Sequence, residues 1–303
     1  MATRSPRKMA VLKLLSLFSV IRGYNILVIT LAQYLASIFI LAPDYLTVKD
    51  VLLDPYLFMI VTASALAIAG GYIINNFYDA EKDIINKPLK SKIDRLVKQN
   101  TQLSVYFLFN FMSIFAASYV SFRSVVFFSL FIFWIWLYSH RLKKVIVVGN
   151  MISATLSIIP FFAVFVHYNH FDSAIFLHAT FLFLLILLRE FVKDLENLTG
   201  DLLNDYKTIP VKYGERTSKF IISITTILTL LPSTLLITFY NIGKMEYYFY
   251  FAMVMLILFM LYLWKAKDKR GYLLLHNILK FIIVSGVFSI LLIDTSLVIN
   301  RIF

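Results

Sequence analysis

Asn75, Asp79 and Asp83 recur at i, i+4 and i+8 in the stretch GGYIINNFYDAEKDIINKP, from Gly70 to Pro88. On a helix that spacing puts three oxygen-bearing side chains on one face. They repel one another unless a cation sits among them. Hard divalent ions such as Mg²⁺ take oxygen ligands and commonly bridge carboxylates to a substrate phosphate. A second stretch, REFVKDLENLTGDLLNDYKTIPVKYG, runs from Arg189 to Gly214 and repeats the idea. There Asp194, Asn197 and Asp201 fall at i, i+3 and i+7, with Glu190 one turn before Asp194. Both rows close an apolar run, and together they suit two Mg²⁺ ions holding a diphosphate, as matched halves of one site. A solvated helix end explains one such row more easily than two. The expected metal ligands are therefore Asn75, Asp79, Asp83, Asp194, Asn197 and Asp201, and the expected catalytic carboxylates are Asp79, Asp83, Asp194 and Asp201.

A departing diphosphate carries more charge than two metals neutralise locally, and Lys or Arg can stabilise it. The candidates are Arg22, Arg141, Lys143 with its neighbour Lys144, and Lys193 beside Asp194. Arg22 stands out, because a cation within an apolar span is normally paired or functional. Other chemistries find little support. The chain has no cysteine, which removes disulfides, thiolate metal sites and thiol nucleophiles. It has no Walker loop, no dinucleotide glycine motif and no repeat with a period of 20–50 residues. His167-x-x-His170 lacks a nearby third ligand, and His276 with Lys280 reads as a helix end with a snorkelling lysine.

The elements that position these residues must cross a membrane. Of 303 residues 60% are hydrophobic and 15% charged, with a mean hydropathy of +0.80. A soluble domain is about 45–50% apolar and about 25% charged, so a water-soluble or disordered chain is excluded. Nine apolar stretches fit the roughly 20 residues that a spanning helix needs. They cover 17–42, 56–78, 102–120, 124–138, 146–166, 173–192, 219–240, 246–264 and 274–297. None alternates with the period of two expected of barrel strands. The expected fold is all-α, a bundle of about nine transmembrane helices forming a single domain over 1–303. Gly70 and Gly71 would allow close helix packing beside the first acidic row.

The net charge of +12 would suggest nucleic acid in a soluble chain. Here its distribution decides. With the N-terminus inside, the inner loops hold 22 of the 29 Lys and Arg, and the outer loops hold only Lys49, Arg123, Lys244 and Arg301. That asymmetry is the positive-inside pattern. It predicts a multi-pass protein of the cell membrane with a cytoplasmic N-terminus, an extracytoplasmic C-terminus and both acidic rows on the cytoplasmic side. The partner expected for the charge is the lipid bilayer, and no nucleic acid. The sequence carries no signal of oligomeric state.

Taken together, these residues resemble the UbiA superfamily of intramembrane prenyltransferases, along nearly the whole chain. Asn75, Asp79 and Asp83 are similar to that family's motif after helix 2, and the Arg189–Val211 segment to its motif after helix 6. Arg22-Gly-Tyr-Asn25 looks like the Arg-x-x-Asn of its first helix. Tyr138 through Lys143, followed by Gly149-Asn150, resembles its Tyr-x4-Lys and Gly-Asn segments. Arg189–Val211 is closest to the branch that includes digeranylgeranylglyceryl phosphate synthases. Two departures stand out: Asn197 occupies the place of the usual Asp, which leaves a carbonyl ligand without charge. In addition, the LKSKIDRLVKQ segment lacks the common Pro-x-Ser-Gly element.

The resemblance implies transfer of a prenyl group from a polyprenyl diphosphate to a lipophilic acceptor, a glyceryl-phosphate lipid or an aromatic or quinone precursor, with Mg²⁺ as cofactor. Arg22, Asn25, Tyr138, Arg141, Lys143 and Lys193 would bind diphosphate or substrate. The rival reading is a transporter, which predicts ionisable residues near mid-span. These sit instead at one membrane face. A phosphoalcohol transferase would need Asp-Gly and Ala-Arg elements that are absent. The charge count makes the topology testable: a reporter inserted between Lys87 and Lys98 should report from the cytoplasm, and one fused after Phe303 from the opposite side. Both on one side would refute nine spans.

Overall fold

The computed structural model describes residues 6–294 except 44, 170 and 205, with only the backbone of residues 6–10. Arg4, His170, Arg301 and the end of the ninth expected span lie outside the described residues. Among the described residues every regular element is helical. In chain order these are α1 (Pro6–Val20), α2 (Gly23–Ala36), α3 (Val48–Leu52), α4 (Pro55–Tyr78), α5 (Ala80–Asn86), α6 (Pro88–Asp94) and α7 (Gln99–Val120). There follow α8 (Phe122–His140), α9 (Val148–Tyr168), α10 (Ser173–Glu196), α11 (Leu198–Leu203), α12 (Ile209–Phe239), α13 (Glu246–Lys265) and α14 (Lys269–Ser289). Nine helices among the described residues are long and apolar enough to cross a membrane. Their surfaces agree with that role. On α7, Phe107, Phe111, Phe115 and Tyr119 recur every fourth residue and are all more than 60% exposed. Such a stripe belongs against lipid tails rather than water.

Three expectations about continuity are corrected. The first span does not run unbroken through Arg22: α1 ends at Val20, Arg22 takes a left-handed backbone (φ 51), and α2 starts at Gly23. At Gly23 the Phe18 ring lies over the bare backbone, 2.0 Å from where a Cβ would stand. The seventh span starts ten residues earlier than expected, at Ile209, because Pro210 seeds a first turn and Gly214 (φ 84, ψ 170) then kinks the chain. Each acidic row also crosses a break in its helix, described with the site below.

The chain forms two compact units, Met1–Thr30 with Met59–Arg141, and Leu31–Phe58 with Leu142–Phe303. In the first, Val20, Ile73, Ile74 and Tyr106 form a small buried cluster joining α1, α4 and α7. Gly70 and Gly71 do permit close packing: an added Cβ would meet Asn110 of α7 at 2.7 Å and Ile135 of α8 at 2.8 Å. The basic stretch after α4 folds into α5 and α6. Buried Asp94 anchors it, accepting from Ser19 Oγ (2.9 Å) and Lys90 Nζ (2.5 Å), while Ser16 Oγ donates to Ile93 O (2.8 Å). Gln102 of α7 then donates to Asp94 O at 3.0 Å. In the second unit α10 packs against α9, α12 and α14. Leu185, Leu188, Ile222, Leu236, Phe249, Leu256, Leu275 and Leu279 are fully or almost fully buried there.

Candidate functional site

In the first unit, α4 delivers the first acidic row. Its helix stops at Tyr78 because Asp79 turns to φ −95, ψ 3, and α5 takes over at Ala80. That is the sparsely populated bridge region, where many functional residues sit. The helical bonding nevertheless continues across the break, from Asp79 N to Asn75 O (3.0 Å) and from Asp83 N to Asp79 O (2.8 Å). Asn75, Asp79 and Asp83 therefore keep neighbouring positions, all half-buried. Asn75 Nδ2 donates to Asp79 Oδ2 at 3.0 Å, and Lys87 lies 3.8 Å from Asp83. At the α1–α2 junction the Arg22 guanidinium stands 4.9 Å from the Tyr72 ring centroid, and Asn25 Nδ2 donates to the Tyr72 hydroxyl at 3.2 Å. At the end of α8, Tyr138 is half-buried and Arg141 exposed. Next to them the His140 ring stacks on Trp136, 5.4 Å between centroids.

The second unit repeats the backbone device. α10 stops at Glu196, Asn197 turns to φ −100, ψ 9, and α11 follows. Again the helical bonds bridge the break, from Asn197 N to Lys193 O and from Asp201 N to Asn197 O, both 3.0 Å. The setting is drier. Glu190 is 4% exposed, Asp194 8%, Asn197 4% and Asp201 0%. Lys193 is hydrogen-bonded to Glu190, and Arg189 lies 3.6 Å from the same carboxylate. Lys193, expected as a diphosphate ligand, is thus engaged by a protein acid. Asp194 Oδ2 accepts from Asn150 Nδ2 at 2.8 Å.

Asn150 is held there by local geometry. Lys143 is half-buried in a short 3₁₀ turn, Leu142–Lys144. Val147 then sits at φ 62, ψ −49, and Val148 N donates to Ile146 O at 2.6 Å. This is a γ-turn of the strained kind, rare for a β-branched residue. The chain next packs so tightly that a Cβ at Gly149 would lie 3.0 Å from two backbone carbonyls. Two further contacts were invisible in the sequence: Lys144 lies over the Tyr206 ring at 5.2 Å, and His276 of α14 meets Glu196 at 2.8 Å. Tyr72 was likewise missed, because it reads as one more aromatic in an apolar span.

Whether these groups suit a hard cation depends on the amides. Among the described residues no three His, Cys, Asp or Glu side chains form a complete metal site by themselves. The oxygen set that includes Asn is more favourable. Asn197 Oδ1 is buried without a hydrogen-bond donor, between two buried carboxylates in sequence. A buried orphan acceptor beside buried negative charge is the environment that a divalent ion completes. The residues present fit such an ion.

Comparison with known proteins adds independent findings. The model of the UbiA prenyltransferase family matches residues 30–273. A digeranylgeranylglyceryl phosphate synthase of Sulfurisphaera tokodaii is 28% identical over 218 residues, 71% of this chain and 76% of the relative. A solved structure from work on digeranylgeranylglyceryl phosphate synthase in membranes superposes with a TM-score of 0.68 at 20% identity, covering 92% of this chain and 97% of the other. A UbiA homologue from Archaeoglobus fulgidus, bound to GPP and Mg²⁺, gives 0.66 at 13% identity over 91% and 99%. At these identities the two structures establish a shared fold.

The Asn150–Asp194 bond is testable apart from any activity. Asn150→Leu should lower stability by about 1–3 kcal/mol, the usual penalty for a buried polar group that loses its hydrogen-bond partner. Adding Asp194→Asn should recover part of that loss, read as the midpoint of thermal unfolding in detergent. Equal losses with and without Asp194→Asn would show that the bond stabilises nothing.

Proposed function

The chain belongs to the UbiA prenyltransferase family, and from that premise we propose that it joins a polyprenyl group to the hydroxyl of a glyceryl-phosphate lipid. As a member of that family it is a multi-pass membrane prenyltransferase, and the transporter reading is set aside. The donor is a polyprenyl diphosphate and the acceptor is lipophilic. The observation that carries the finer assignment is the similarity to the Sulfurisphaera tokodaii synthase, which extends over most of both chains. We treat 1–303 as one prenyltransferase domain, with its N-terminus in the cytoplasm and its C-terminus outside.

Asn75, Asp79 and Asp83 in one unit, and Asp194, Asn197 and Asp201 in the other, are the oxygen ligands for Mg²⁺. Bound Mg²⁺ supplies neutralisation of the diphosphate's charge as it departs. The binding of GPP and Mg²⁺ by the Archaeoglobus fulgidus homologue supports both choices. The allylic C–O bond breaks with its electron pair passing to the diphosphate, and the acceptor oxygen forms the new C–O bond to the allylic carbon and gives up its proton to the released pyrophosphate. Arg22, Asn25, Arg141 and Lys143 bind the anion through hydrogen bonds that strengthen as charge develops. Tyr138 orients the donor. Lys193, tied to Glu190, acts chiefly by keeping that buried acid compensated beside Asp194. The apolar helices hold the isoprenoid tail and exclude water, which would otherwise quench the allylic cation.

The test is product mass spectrometry on purified protein with a prenyl diphosphate, Mg²⁺ and a panel of acceptors. A prenyl ether of a glyceryl-phosphate lipid, with pyrophosphate released, is expected. Exclusive prenylation of an aromatic ring would overturn the acceptor and leave the family intact. In the same assay Asp79→Ala, Asp83→Ala and Asp201→Ala should each reduce turnover by about 10²-fold or more. Asn197→Asp should preserve or raise it. Normal Mg²⁺-dependent turnover in both Asp79→Ala and Asp201→Ala would sink the metal assignment.

A further inference from the structure

Arg22 occupies an unusual position. It stands between two apolar helices, in a left-handed backbone conformation that side chains avoid. Among the described residues its guanidinium has no carboxylate partner and no hydrogen-bond acceptor; what it meets is the face of Tyr72, 4.9 Å away. A cation–π contact holds a guanidinium without using its five N–H donors. Those donors form the planar fork that suits phosphate oxygens. The same tyrosine reaches a second residue, since its hydroxyl accepts from Asn25 at 3.2 Å. Tyr72 itself is firmly mounted. Ile73 and Ile74, next to it on α4, are 0% and 4% exposed and pack on Val20, the last residue of α1. Asn75, three residues further on, begins the first acidic row.

One side chain on a buried helix thus fixes both polar residues of the α1–α2 junction and leaves the cation's donors unspent. A role in packing alone would not select this arrangement, because an apolar residue at position 22 would pack without an uncompensated charge. We propose that Tyr72 is a positioning residue for donor binding, holding Arg22 and Asn25 in the arrangement that takes the diphosphate of the prenyl donor. The inference rests on the transfer reaction proposed above.

Steady-state kinetics of the full chain in lipid nanodiscs, with Mg²⁺ saturating and the prenyl diphosphate varied, test it. Arg22→Ala should raise donor KM about tenfold or more and leave acceptor KM alone. Tyr72→Leu should raise donor KM roughly five- to tenfold. Tyr72→Phe, which keeps the ring face for Arg22 but loses the hydroxyl that Asn25 donates to, should raise donor KM by less than Tyr72→Leu does. The decisive readout is coupling. In the Arg22→Ala background Tyr72→Leu should add less than about twofold, whereas general loosening of the fold would multiply through. An unchanged donor KM in Tyr72→Leu, or fully multiplicative effects, would overturn the positioning role while leaving Arg22 as a diphosphate ligand. An unchanged donor KM in Arg22→Ala would instead overturn the diphosphate reading of Arg22, and this inference with it. If Tyr72→Leu does not fold, Tyr72→Trp decides the matter: a large aromatic face keeps donor KM near wild type if the face acts, and raises it if not.

Discussion

Carboxylates buried at the ends of apolar helices are the constraint from which the rest of this structure follows. Asp201 is fully buried, and Glu190 and Asp194 nearly so, in a chain with little polar surface to spare. A buried carboxylate without partners is among the most unfavourable groups a fold can contain. Glu190 and Asp194 are answered locally. Glu190 takes Lys193 and Arg189. Asp194 takes Asn150, and Asn150 reaches it only because a 3₁₀ turn, a strained γ-turn at Val147 and the bare backbone of Gly149 bring the start of α9 close. Strain at Val147 persists because the surrounding contacts over-determine it.

The first unit meets the same problem with greater exposure. Asn75, Asp79 and Asp83 are half-buried, so they need less compensation from the protein. Order comes instead from the helices around them. Asp94 ties α6 to α1, and Gln102 extends that tie to α7 and, through Asn76 (3.3 Å), back to α4. The segment that lacks the Pro-x-Ser-Gly element is thus held by a polar network of its own. That network makes the departure from the resemblance a local rebuilding rather than a loss of structure.

Most of the helices were legible in the sequence because lipid imposes one simple rule: a span must be apolar for about 20 residues. The acidic rows were legible for a related reason, since few charges are tolerated and clustered ones stand out. What escaped was whatever depends on a single dihedral or on distant partners. The break at Arg22 is one left-handed residue inside a run that otherwise reads as continuous. The breaks at Asp79 and Asn197 leave the helical hydrogen bonds in place, so the side-chain spacing gives no hint of them. The Glu196–His276 pair joins residues 80 apart in the chain. Tyr72 was missed because its role depends on the turn at Arg22.

The two breaks also change how Asn197 should be understood. Compared with the usual motif, an amide there is a lost charge. Aligned by the backbone instead, Asn197 matches Asp79, since both turn to nearly the same φ and ψ and both bond back and forward by four residues. Three residues before the pivot stand Asn76 and Asp194; four residues after it stand Asp83 and Asp201. Counted from the pivot, Asn76 rather than Asn75 of the first row is the counterpart of Asp194, and each set of three holds two carboxylates and one amide, with acid and amide exchanged between the first two. The number of carboxylates at these positions is equal, and only their placement differs. That exchange suits the burial of the second row. Its extra acid, Asp194, lies where Asn150 can donate to it, whereas the pivot carries the neutral oxygen whose desolvation costs least.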